Sequence, residues 1–242
     1  MSLIYEPGIF KRLDGVRAAM TLRGTKKDSY GFNMSLTVGD DPKRVHANRE
    51  RLAGRLGFEL ERLATQRQVH GAGIGRVEQG YTPGESDALI TSEPGWLLAV
   101  SVADCIPVLM YDPGTRVAAG VHSGWRGTAC NIAGATIARL HEEFGTRPEH
   151  LIMYVGPGAG QCCYEVGEDV ASAFQHEHCR PLGGGKYLFD NRGAVLRQLL
   201  DAGVSTFGIE LDTRCTICDP GLHSYRRDGM RSGRMFGVIG MC

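Results

Sequence analysis

Three side chains able to bind a metal or act as nucleophiles stand at the ends of apolar, strand-like runs: His70, Cys105 and His122. His70 closes the run Leu63–His70 and precedes Gly71. Cys105 sits in Ala-Asp-Cys-Ile-Pro between two apolar runs, and His122 stands just before Ser123-Gly124-Trp125-Arg126-Gly127. Strand ends are where a rigid scaffold hands side chains to a pocket. One thiol and two imidazoles suit zinc, and three protein donors leave a fourth position open for water or substrate. The long gaps between the three are not those of a zinc finger or ribbon. The same residues support two other readings. One is an inert buried thiol beside hydrogen-bonded histidines. The other is a metal-free Cys105 nucleophile, with His122 or His70 as its base and Asp104 or another acid as the orienting group.

The remaining chemistry-bearing strings are less specific. Cys215-x-x-Cys218 has no second pair at ribbon spacing and follows no thioredoxin-like pattern, so burial is the expected role. The adjacent Cys162 and Cys163 are awkward as ligands of one ion and are expected to pack within a Gly-rich loop. A basic cluster, Ser224-Tyr225-Arg226-Arg227-Asp228 with Arg231 and Arg234, reads either as a solvated face or as an anion site, because guanidinium forks match phosphate oxygens. Arg23, in a polar loop near the front, is a further candidate for that site. Gly156-Pro157-Gly158-Ala159-Gly160 lacks the residue order of a nucleotide-binding loop, and there is no GxSxG elbow.

Mixed strands and helices have to position these groups. Val16–Leu22 alternates as a strand does. Asp40-Asp41-Pro42 offers an N-cap and an N1 proline to a helix carrying Val45, Leu52 and Leu56 on one face and stopping at Gly57. Consecutive strands are expected at Leu63–His70, Ile74–Glu78, Asp87–Thr91, Trp96–Val102, Ile106–Tyr111 and Val117–His122, with a hairpin turn at Asp112-Pro113-Gly114. A helix over Thr128–Phe144, a strand at Leu151–Val155, helices at Gly167–Phe174 and Arg192–Ala202, and strands near Thr206–Leu211 and Met235–Ile239 complete the pattern. Strands and helices do not alternate strictly. That favours an α/β or α+β fold, a single domain over residues 1–242 with packed mixed β-sheets flanked by helices, over a Rossmann or barrel repeat.

Composition narrows the function classes. Of 242 residues 42% are apolar, and 27 Lys+Arg balance 27 Asp+Glu. Zero net charge gives no bulk attraction to nucleic acid or anionic lipid, so neither is an expected partner. The longest apolar stretch, Trp96–Ala103, is too short to span a bilayer, and the first residues do not read as a signal peptide. A cytoplasmic location is expected, with the thiols kept reduced.

Several strings occur in order: Gln68-Val69-His70-Gly71, Ser86-Asp87-Ala88-Leu89, Ala103-Asp104-Cys105-Ile106-Pro107-Val108-Leu109, His122-Ser123-Gly124-Trp125-Arg126-Gly127-Thr128, Tyr164-Glu165-Val166-Gly167 and Ser224-Tyr225-Arg226-Arg227-Asp228-Gly229. Together they resemble the YfiH-like, or laccase-domain, family, also called the polyphenol oxidase or peptidoglycan-editing-factor family. Asn33 with Val38-Gly39-Asp40-Asp41, and Ser232-Gly233-Arg234-Met235, extend the likeness over nearly the whole chain. The resemblance implies a zinc site formed by His70, Cys105 and His122. It also implies purine nucleoside phosphorylase chemistry: phosphorolysis of adenosine, inosine and methylthioadenosine, and deamination of adenosine, with the nucleoside and phosphate as partners. Arg23, Arg226 and Arg227 are then the expected phosphate holders and Asn33 the nucleoside contact. Asp104 or Glu165 would orient a ligand or move a proton. Ser123 replaces the family's usual alanine, the loop over 156–163 lacks its usual isoleucine, and the first loop lacks a Gly-Gly pair. These departures bear on substrate preference. Copper-dependent laccase, an older label for the family, ranks second. Four-electron oxygen reduction needs several coppers and many histidines, and there are eight His and no His-Cys-His string. The trio imitates a type-1 copper site closely enough for copper binding and weak phenol oxidation. Hydrolytic editing of peptidoglycan precursors and a non-catalytic role with a closed metal site are the other readings.

Overall fold

The computed structural model describes residues 3–24 and 30–242. Positions 25–29 of the first polar loop lie outside the described residues. In chain order, β1 (Ile4–Tyr5) and β2 (Val16–Thr21) precede α1 (Pro42–Leu56). Next come β3 (Leu63–Ala64), β4 (Ile74–Arg76), β5 (Ala88–Thr91), β6 (Leu97–Val102), β7 (Ile106–Asp112) and β8 (Val117–Ser123). Helices α2 (Trp125–Ala129) and α3 (Ile132–Phe144) lead to β9 (Ile152–Val155), β10 (Glu165–Gly167) and α4 (Glu168–Ala171). The chain then runs through β11 (Cys179–Gly183), β12 (Lys186–Phe189), α5 (Asn191–Asp201), β13 (Ile209–Leu211), α6 (Tyr225–Asp228) and β14 (Met235–Met241).

Two large mixed sheets stack face to face. The first has the order β1-β2-β14-β6-β3, the second β13-β9-β7-β8-β5-β4, and a small antiparallel sheet β10-β12-β11 sits beside them. Met20, Leu98, Val100 and Ile239 of the first sheet meet Leu89, Leu109, Ala118 and Tyr154 of the second. The approach is close: a Cβ placed on Gly120 of β8 would lie 3.5 Å from Val100 Cγ1. Helix α1 covers the outer face of the first sheet through Leu52, Ala53 and Leu56. Helices α3 and α5 cover the second through Ile132, Ile137, Leu140, Val195 and Leu199. Both central sheets are therefore buried on both faces, which explains why β7 and β8 are apolar almost throughout instead of alternating.

The helix start at Asp40-Asp41-Pro42 is realised as expected. Asp41 caps α1 by accepting from the Lys43 amide at 3.0 Å, and Gly57 ends the helix at φ 81°. The helix expected over Gly167–Phe174 shortens to α4, with Gly167 in β10, and three other elements differ more. The expected strand Leu63–His70 is a strand only over Leu63–Ala64, because Gln68 replaces the backbone ladder with its side chain. Its Nε2 donates to the Ser101 carbonyl at 2.8 Å, and its Oε1 accepts from the Ser101 amide at 2.6 Å. The single helix expected over Thr128–Phe144 is two, broken where Asn131 takes φ 54° and caps α3 by accepting from the Gly134 amide. The hairpin of β11 and β12 has no counterpart among the expected strands. It is short, mostly exposed on β11, and gives no apolar alternation to read.

Leu109 is fully buried between the two sheets. Leu109→Ala is expected to lower unfolding stability by about 2–5 kcal/mol, measured by denaturant titration.

Candidate metal centre

Pairing of β7 with β8 places Pro107 opposite His122 and Ile106 opposite Ser123, so Cys105, just before β7, lies beside the end of β8. His70 arrives on the turn ahead of β4. The donor atoms of His70, Cys105 and His122 lie within 4.8 Å of one another. The two imidazole rings stand edge to face, with centroids 4.8 Å apart. Two positions around the trio hold unusual backbone: His70 at φ 60° and Asp104 at φ 89°. Non-glycine residues persist there only when their surroundings over-determine them.

Asp87 is what over-determines His70. Its carboxylate is fully buried and accepts from the amides of Val69 (3.2 Å), His70 (2.9 Å) and Gly71 (2.7 Å). The same carboxylate lies 2.8 Å from His122 Nδ1. One side chain thus shapes the His70 turn and leaves Nε2 of His122 to face Cys105. Burial opposes charge on Asp87, but the His122 hydrogen bond and the Gly71 amide hold its carboxyl below the usual range. Burial likewise opposes charge on the other two groups, and is overcome. The Cys105 thiolate and Asp87 raise His122 to about 9, while His122 and His70 draw Cys105 down to about 6. A thiolate is the form a metal requires.

The backbone leaves room for an ion here. A Cβ on Gly124 would lie 3.0 Å from Cys105 Sγ and 3.0 Å from His70 Cδ2. Glycine is therefore needed where the Gly-Trp-Arg-Gly string passes the trio. One thiolate and two imidazoles are a fitting donor set for zinc or copper.

The trio lies in the wall of a cavity of about 1030 Å³. Five arginines line it, and four of them lie over an aromatic ring: Arg226 over Tyr164 (5.0 Å), Arg234 over Tyr225 (5.5 Å), Arg49 over Phe236 (5.1 Å) and Arg126 over Trp125 (4.2 Å); the fifth, Arg67, pairs with Glu85. Arg49 is further held by its Nε donating to the Met34 carbonyl, and Arg234 by donating to the Ser232 and Gly233 carbonyls.

The other sequence-derived candidates are dispersed around this cavity. Asp104 lines it, but its carboxylate accepts from Thr216 Oγ1 (2.6 Å) and the Arg226 amide (2.7 Å), tying two loops together. The acid that orients a histidine is Asp87. Asn33 is fully buried and bonded within its own loop, to Ser35 and Asp40, and to the Arg234 amide. It positions Ser35 and Arg234, which line the cavity. Arg227 donates to the carbonyls of Thr216, Ile217, Asp219 and Leu222 and pairs with Asp228, so its guanidinium organises backbone. Arg23 pairs with Asp228 at 3.1 Å, away from the cavity lining. Glu165 is half-exposed and pairs with Lys186; its carbonyl, not its carboxylate, meets Arg226. Sequence reasoning overlooked Asp87, Arg49 and Arg126. Asp87 had a readable signal, as an acid opening an apolar strand within a family string, and Arg126 stands in such a string too; Arg49 looks like an ordinary helix-surface charge.

Asp87→Asn should keep the fold but weaken metal binding by about 10- to 100-fold. Competition with a chromogenic chelator measures this, and unchanged affinity would remove Asp87 from the site.

A family model described as multi-copper polyphenol oxidoreductase laccase matches residues 13–242. A Deinococcus radiodurans protein named purine nucleoside phosphorylase is 39% identical over 210 residues, covering 84% of this chain and 79% of that protein. A protein of an unknown prokaryotic organism, named adenosine deaminase RL5, is 32% identical over 250 residues, 95% of each chain. The crystal structure of YlmD from Geobacillus stearothermophilus aligns with a TM-score of 0.89 at 35% identity, covering 97% of this chain and 94% of that one. On this agreement of sequence and fold, the chain belongs to the YfiH-type, laccase-like family.

Proposed function

We propose that the protein is a zinc-dependent purine nucleoside enzyme that performs phosphorolysis and, on adenosine, deamination. The observation that carries this reading is the convergence of His70, Cys105 and His122 in a cavity furnished with aromatic rings and guanidinium groups. The names of its relatives, purine nucleoside phosphorylase and adenosine deaminase, support it.

His70, Cys105 and His122 would hold the zinc ion, which would supply Lewis acidity at this end of the cavity. The chain does the rest. Tyr225 and Trp125, the cavity rings that are not buried, offer faces on which a purine can stack. In phosphorolysis a phosphate oxygen bonds to the ribose C1′ as the bond from C1′ to the base nitrogen breaks. Its electrons go to the purine, which takes up a proton. Arg226, Arg234, Arg49 and Arg126 hold the phosphate and offset its charge as the bond forms. In deamination the oxygen of water bonds to the purine C6 and ammonia leaves. Asp104, Asn33 and Arg227 act on substrate through the neighbours they hold. Asp87 keeps His122 in one tautomer throughout.

Two alternatives are weaker on specific grounds. A metal-free Cys105–His122–Asp87 nucleophile needs one imidazole as base, and would leave His70, whose turn Asp87 builds, with only a supporting role beside the thiolate. Oxygen reduction by several coppers needs further histidines. Among the described residues the donor groups of three or more are this trio and a set of four cysteines.

Protein purified without added copper is expected to carry zinc and to release adenine from adenosine only when phosphate is present. Inosine formed without phosphate would report deamination. Cys105→Ala should lose the trio's metal and both activities together. Full turnover by that variant would defeat the proposal, and full turnover by metal-free wild type would favour the thiol nucleophile. Arg234→Ala is expected to raise the KM for phosphate by about tenfold or more, equivalent to one lost charge-assisted hydrogen bond, with a smaller change for the nucleoside.

A further inference from the structure

The four cysteines expected to be buried or packed into a loop are instead gathered at one point. The donor atoms of Cys162, Cys163, Cys215 and Cys218 lie within 4.8 Å of one another. Cys163 Sγ is 3.1 Å and Cys162 Sγ 3.6 Å from Cys218 Sγ. Four thiolates around one zinc at about 2.3 Å would stand about 3.8 Å apart, within the observed spread. A thiol pair alone would not account for four sulfurs meeting. An iron–sulfur cluster would spread its cysteines over several irons and hold them farther apart.

The surrounding backbone is arranged for thiolates. Cys215 Sγ accepts from the Gly160 amide at 3.2 Å and also from the amides of Ile217 and Cys218. Amides turned onto a sulfur from within a Cys-x-x-Cys turn stabilise its negative form and fix its direction. Gly160 eases that approach, since a Cβ there would crowd Cys215 Cβ at 3.1 Å and Cys162 Sγ at 3.3 Å. Adjacent cysteines in a strand would point to opposite faces. Here they lie in a tight turn, with the amides of Cys163 and Tyr164 both donating to the Gly160 carbonyl, and so both reach the same point. The two cysteine pairs are far apart in sequence. The parallel pairing of β13 with β9 and a bridge between Gly158 and Cys215 bring them together.

We propose that Cys162, Cys163, Cys215 and Cys218 form a second, structural site for a single zinc ion, closed by four thiolates. Its place in the fold gives it a task. It joins the loop that leads to Tyr164 to the segment whose Thr216 bonds Asp104 and whose carbonyls Arg227 gathers. The first leads to Tyr164 in the cavity wall and the second lies behind that wall, holding Asp104 and Arg227, so the ion braces the wall without touching substrate. This inference is independent of the proposed reaction.

The test is metal content of the full-length chain, prepared anaerobically with zinc and again with cobalt(II). Two zinc ions per chain are expected. Cys218→Ser and Cys163→Ser should each lower this to one, while Cys105→Ala also leaves one. The cobalt-loaded Cys105→Ala protein should show the intense thiolate-to-cobalt bands of a four-sulfur tetrahedral site, and the Cys218→Ser protein should lose them. Should either variant fold poorly, thiol titration of wild type decides. With zinc bound, the four cysteines should react at least tenfold more slowly with an aromatic disulfide reagent than after chelation. A Cys105→Ala protein without zinc, a Cys163–Cys218 disulfide in anaerobic protein, or iron in place of zinc would overturn the proposal. Loss of activity with both metals retained would touch only the catalytic reading.

Discussion

Everything at the candidate site depends on one buried carboxylate. A charge removed from water is tolerated only when donors replace the lost hydration, and Asp87 has four: three consecutive amides and an imidazole. The arrangement fixes two ligands at once. The amides force the turn that sets His70 at positive φ, and the imidazole contact sets the rotation of His122. Cys105 completes the charge balance, because a thiolate beside a protonated His122 is stabilised as a pair before any ion binds. A divalent cation would replace that proton with a stronger positive charge in the same place. The geometry that holds the proton is thus already the geometry that would hold a metal.

The two-sheet sandwich makes such precision affordable. Because each large sheet is covered on both faces, β7 and β8 can be almost wholly apolar and rigid, and their ends carry the polar chemistry. Cavity residues come from both sheets as well as from loops, Ala99, Ser101 and Phe236 from the first and His122 from the second. A ligand in the cavity is therefore gripped across the seam between sheets.

The trio was legible in the sequence because strand ends are easy to recognise and because the motif strings are specific. The fold class was legible for the same reason: apolar runs bounded by Gly, Pro and Asp mark strands and turns plainly. What could not be read was any structure in which a side chain imitates backbone. Gln68 pairs with β6 as a strand would, Asn131 interrupts a helix by capping the next one, and Asp87 replaces a set of backbone acceptors. The four cysteines failed to register for a related reason. Ligand spacing rules describe sites made from two nearby turns, whereas here the long-range pairing of β13 with β9 joins the turns.

Arg226 and Arg227 show how far residue type alone can carry an argument. They are neighbours, equally charged and part of one motif. Yet the first lies over Tyr164 in the cavity while the second faces four carbonyls in the loop behind it. A guanidinium has five donors in a fixed plane, and such a group can satisfy a phosphate or a curled backbone equally well. The choice follows from the turn beginning at Ser224, whose hydroxyl accepts from the Arg227 amide while Asp104 accepts from the Arg226 amide. That turn directs one arginine outward and the other inward. The motif is therefore a device in which one cation builds the wall and its neighbour faces the cavity. It also couples the Asp104 turn beside Cys105 to the guanidinium side of the cavity, so an anion held by Arg226 and an ion held by the trio would share one rigid frame.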